Sequence, residues 1–135
     1  KREKFKYLLK RKRRMAWFGV KAEKEKLSGL LQAIHNENAL VRHIKTTMLG
    51  PNFLFLLAFD EKKLEEALEN PKYPQDKVGL ALDILKSRKK IEGWRKELSD
   101  TSGKMIDKGN PPVWTEIYEM AGLSPSDAYK EFTIE

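Results

Sequence analysis

Apolar side chains recur along most of this chain with a helical period. Leu27, Leu30, Leu31 and Ile34 fall at i, i+3, i+4 and i+7, laying one buried stripe on a helix that starts in the mixed charges of residues 21–26. Asn36, Glu37 and Asn38 are expected to interrupt or bend that helix. A second set, Leu40, Val41, Ile44, Met48 and Leu49, runs up to Gly50-Pro51, where glycine supplies the left-handed helical C′ position and proline forbids continuation. The apolar run of residues 53–59 suits either a buried strand or the inside of a buried helix. Pro51-Asn52 reads as a helix start, and Leu64, Ala67 and Leu68 continue the stripe. A helix over 52–69, kinked near Asp60, is therefore preferred.

Residues 70–74, Asn-Pro-Lys-Tyr-Pro, form a loop. Asp76 then caps the longest predicted helix, which runs to about Ser99. On it Leu80, Ile84, Ser87, Ile91, Trp94 and Leu98 step by 4, 3, 4, 3 and 4, a heptad-like seam. With under three heptads and a serine in the seam, a core-facing helix is favoured over a coiled-coil partner surface. Residues 101–112 are polar and bear Gly and Pro, and are expected to be a flexible connection. Pro111-Pro112 opens a short helix over 113–121, closed by Gly122. Ser124-Pro125-Ser126-Asp127 then carries cap chemistry for one more helix.

The predicted fold class is all-α: a small helical bundle of five to seven helices with a basic N-terminal helical extension. Residues 1–20 are read as the basic arm. Residues 21–135 are read as a helical domain ending in a helix-turn-helix-like hairpin (113–133). A chain of 135 residues fits one core without a metal or disulfide. Only 8 Gly and 6 Pro argue against a β-sandwich punctuated by turns.

Charge changes the picture at one end. The first fourteen residues hold nine cations, Lys1, Arg2, Lys4, Lys6, Lys10, Arg11, Lys12, Arg13 and Arg14, against Glu3 alone. Residues 15–135 hold the other 18 bases and 19 acids, so the excess charge sits entirely in the arm. Phe5, Leu8, Leu9 and Ala16 mark one helical face there, but mutual repulsion should keep the helix weak until a partner orders it. Trp17, Phe18 and Val20 offer an anchor, with Gly19 as a joint. Lysine and arginine attract polyanions, and phosphate neutralisation releases condensed counterions. Nucleic acid, RNA or DNA, is the expected partner, with Phe5 and Tyr7 available to contact bases or a groove. The apolar face of the arm is too narrow to favour membrane binding.

Catalytic signals are absent. There are no cysteines, which excludes thiolate zinc sites and cysteine nucleophiles and fits a reducing compartment. His35 and His43 lack metal-ligand spacing, no phosphate-binding or nucleophile-elbow motif occurs, and no cofactor is expected. Asp60, Glu61, Glu65, Glu66 and Glu69 are interleaved with Lys62 and Lys63, as on a solvated helix face. Residues 15–20 are too short for a secretory core, so an intracellular setting is expected.

Near the C-terminus, residues 117–132 resemble the helix-turn-helix of TetR-like repressors through the Ala-Gly-Leu-Ser turn and the aromatic pair Tyr129 and Phe132. The resemblance implies a DNA-binding hairpin in which Gly122 makes the turn, Ser124 caps the recognition helix, and Ser126 and Lys130 face DNA. Tyr118 is bulkier than that pattern wants, and Asp127 and Glu131 would repel phosphate. A plain αα-corner is the preferred reading of these residues. The expected function is a non-enzymatic structural or accessory subunit of a nucleic-acid-containing assembly, docked on protein neighbours. A DNA-binding regulator using the C-terminal hairpin and a protein-interaction module using the Leu80–Leu98 seam are the alternatives.

Overall fold

In a computed structural model, the described residues are 2–124, with side chains from Val20 onward. The expectations for the arm's side chains and for residues 125–135 lie outside them. The chain is all-helical, with no strand among the described residues. Four α-helices, α1 (Arg2–His43), α2 (Glu61–Leu68), α3 (Gln75–Asp107) and α4 (Trp114–Met120), are accompanied by a π-helical segment, Ile44–Leu49, and a 3-10 segment, Pro51–Ala58. The chain divides into two compact units, one built from residues 2–32 and 96–124 and the other from 33–95.

In the 33–95 unit the core is Val41, Ile44, Leu49, Leu56, Leu64, Ala67, Val78, Ala81 and Ile84, all buried. Helix α1 passes unbroken through 36–38, against the expected interruption. Asn38 is 1% exposed and lies between Ile34 and Val41 on the buried stripe, so the apolar period outweighs the polar trio. At residues 44–49 the helix widens. The Thr46 hydroxyl donates to the Arg42 carbonyl at 2.8 Å, and the Gly50 N–H reaches the Lys45 carbonyl at 3.1 Å in the i→i+5 pattern. Gly50 ends the segment at φ 78°, ψ 165°, an extended region open essentially to glycine alone rather than the expected left-handed helical cap.

The expected single helix over 52–69 is two elements. Residues 51–58 take a 3-10 course, whose three residues per turn align Phe53 and Leu56 in one row, and the extended Phe59 that follows also packs inward. That row faces inward, with Leu56 fully buried, while Leu54 and Phe55 are left 41% and 49% exposed. Asp60 then starts α2 afresh: its side chain accepts a hydrogen bond from the Lys63 N–H at 2.8 Å. Replacing Asp60 with Ala should lower stability by about 1 kcal/mol in denaturant unfolding, the ordinary cost of a lost N-cap.

Helix α3 carries the seam inward. Ile84 and Ile91 are fully buried, Leu98 is 5% exposed, and the seam's Ser87 donates to Glu37 Oε1 at 2.7 Å. The seam is therefore core, not an open surface for a coiled-coil partner. Within this unit, the contacts of Lys77 with the Met48 carbonyl and of Ser87 with Glu37 show α3 running antiparallel to the 33–49 stretch.

In the unit of 2–32 and 96–124, α3 continues to Asp107, where a flexible connection was expected. Thr101 and Met105 extend the 4-3 stepping beyond Leu98 and are buried, 4% and 0% exposed, so the helix keeps its inward face through a Ser/Gly-containing stretch. Its true end is Gly109, at φ 76°, with Gly109 N–H on the Ile106 carbonyl and Asn110 N–H on the Met105 carbonyl, both 2.9 Å. This is a Schellman closure. Leu27, Leu30, Leu31, Ile117, Tyr118, Ala121 and Leu123 are buried there too. Lys24 pairs with Glu116 at 3.0 Å and Lys108 with Glu23 at 2.6 Å, surface pairs worth at most about 1 kcal/mol each.

Candidate nucleic-acid interface

The nine arm cations and Phe5 and Tyr7 lie on residues whose side chains are outside the described ones, and Ser126 and Lys130 lie outside them too. Of the C-terminal candidates, Gly122 and Ser124 are described. Gly122 adopts φ 71°, its N–H bonding the Glu119 carbonyl at 3.0 Å while the Leu123 N–H bonds the Tyr118 carbonyl at 2.9 Å. The turn is a second Schellman closure, and its flanking residues Tyr118 and Leu123 are both buried, as that motif's hydrophobic contact requires. The turn thus follows from helix-end physics, which any αα-corner shares.

In the 33–95 unit the structure gathers residues that sequence reasoning left apart. Phe55 sits at the centre of an aromatic group: its ring lies 6.4 Å from Phe53, 6.0 Å from Phe59 and 6.2 Å from Tyr73, centroid to centroid. Phe59 and Tyr73 also meet edge to face at 6.0 Å. Each of the three outer rings carries a lysine ammonium: Lys77 5.4 Å from the Phe53 centroid, Lys63 4.4 Å from Phe59 and Lys72 5.9 Å from Tyr73. Beside Phe59 and Tyr73 opens a cavity of about 190 Å³ that Lys63, Glu66 and Asn70 also line. The 3-10 segment places Phe53 inward and Phe55 outward, the extended Phe59 after it also packs inward, and the turn at 70–74 brings Tyr73 against them.

The acid run beginning at Asp60 is solvated, as its interleaving with lysines predicts. Asp60 caps α2, Glu61 pairs with Lys89, and Glu65, Glu66 and Glu69 are exposed. The hydrogen bond and charge of Lys89, aided by the charge of Lys86, hold the Glu61 carboxyl below its ordinary value. Replacing Lys89 with Ala should raise the Glu61 pKa toward that of a free glutamate, as read by NMR titration of its side-chain carboxyl. A lowered folded pKa contributes stability above the unfolded value and loses it as pH falls through the folded one, so the contribution is present at neutral pH and its loss is confined to the acid limb. His43 Nδ1 lies 3.4 Å from the Thr47 hydroxyl. Among the described residues no group of three or more His, Asp or Glu side chains is placed to hold a metal ion. No described helix is long and apolar enough to cross a membrane.

The aromatic–lysine group was missed because its members come from three stretches: the 53–59 run, the start of α2, and the 72–77 loop and helix start. The available signal was the aromatic density of 53–59 together with Tyr73 held between two prolines. The chain matches no protein-family model, no curated protein and no solved structure.

Proposed function

We propose that this protein is a non-enzymatic structural or accessory subunit of a nucleic-acid-containing assembly, a small helical bundle whose basic N-terminal arm runs along phosphate backbone. One observation carries the reading. Nine cations and one acid fall in residues 1–14, while the other 121 residues hold 18 bases against 19 acids. A body so nearly balanced gives phosphate little to hold, whereas the arm concentrates the cations that counterion release rewards. The body's role is to dock on protein neighbours. Nucleic acid should copurify with the intact chain and be displaced by high salt. Digesting the copurified material with ribonuclease or deoxyribonuclease then distinguishes RNA from DNA, and a chain that purifies free of both at low salt would count against the reading.

A further inference from the structure

The half-exposed Phe55 ring and the three lysines around it have no role in the arm's contact with phosphate. A single exposed phenylalanine is ordinary on a protein surface. Here, however, the 49% exposed ring touches three others, and each of those three bears an ammonium within 6 Å of its centroid. An aromatic platform edged by cations is the arrangement that holds single-stranded nucleic acid: bases stack on rings, and the backbone finds the cations. The adjoining cavity adds groups suited to a base edge. Asn70, whose Oδ1 already accepts from the Lys72 N–H, offers its amide NH2 as a donor, and Glu66 an acceptor for an exocyclic amino group.

We propose that Phe55, with Lys63, Lys72 and Lys77 on its flanking rings, forms a binding site for an unpaired nucleobase and the phosphates beside it. This rests on the nucleic-acid reading above and adds a second contact, on the folded body, selective for single strands. Charge complementarity argues for this occupant, since each of the three rings packed on Phe55 carries an ammonium. An anionic membrane would also attract lysines. Yet the cavity beside the rings is lined by Lys63, Glu66 and Asn70, polar groups that match a base edge and not an acyl chain. The ammoniums, moreover, lie against the rings that would have to insert into the acyl boundary.

The test is fluorescence anisotropy of the full chain with a labelled single-stranded oligodeoxycytidylate, whose bases carry the exocyclic amino group, and with a labelled duplex of equal length. Phe55→Ala should weaken single-strand binding about tenfold or more and leave duplex binding unchanged, with Phe55→Trp restoring it. Changing Lys63, Lys72 and Lys77 together to Gln should flatten the single-strand salt slope by about 2, from roughly 0.7 per phosphate contact. This variant decides the matter if Phe55→Ala fails to fold. Equal single-strand affinity of these variants and the parent overturns the site while leaving the arm reading intact. A parent that binds neither probe removes the underlying reading and the site with it. Loss of binding to phosphatidylserine vesicles on Phe55→Ala, with oligonucleotide binding unchanged, also overturns the site.

Discussion

Deleting residues 1–14 is expected to abolish binding to duplex nucleic acid while leaving the melting temperature nearly unchanged. The deletion removes nine cations and one acid, and the remaining chain carries 18 bases and 19 acids, a net charge of about −1. Duplex affinity that depends on phosphate neutralisation then has no concentrated source of cations. Stability should survive because the described buried side chains begin at Leu27, so neither unit's described core loses a member. Gel-shift titration and thermal melting of the two chains read both halves of this expectation. A truncated chain that keeps its duplex affinity would refute the arm mechanism, and one that melts early would show the arm to be part of the core.

The second large effect concerns the α3 seam. Ile84 is fully buried in one cluster with Leu56 and Leu64, so Ile84→Ala should cost about 2–5 kcal/mol through lost transfer energy and the cavity left behind. For a domain of typical stability, about 5–15 kcal/mol, that is a large fraction of the total. Denaturant unfolding measures it. Were the seam a partner surface, the same change would instead weaken self- or hetero-association, seen in sedimentation, and barely shift the unfolding midpoint. The geometry commits to the first outcome.

Helical class and most helix positions were legible because burial follows a 3.6-residue period that survives in the sequence. The same period runs through two stretches whose polar residues suggest a break. Leu27, Leu31, Ile34, Asn38 and Val41 step by 4 and 3 straight through the supposed break at 36–38. Leu98, Thr101 and Met105 do the same through the supposed connection. In both places polar residues were read as punctuation, although a polar side chain in the stripe, Asn38 or Thr101, is buried in the fold. Local chemistry at the helix ends was legible in part: Gly122 takes the positive φ that closes α4 and Gly50 interrupts the helix, whereas Asp76, expected to cap α3, lies inside its first turn.

The 53–59 run was not legible in the same way, since an unbroken apolar stretch carries no period. Only the 3-10 course decides that Phe53 and Leu56 share the inward row and that Phe55 faces out. The aromatic–lysine group depends on that outcome and on the placement of Tyr73, a long-range fact that spacing along the chain does not contain. The arm stands at the other extreme, its signal being composition alone.

The central claim is that the arm holds phosphate, and the salt dependence of duplex binding by the full chain tests it most directly. If about six of the arm's cations touch phosphates, log K should fall against log[salt] with a slope of about −5, a loss of about a thousandfold between 50 and 200 mM. A flat dependence over that range would contradict the account.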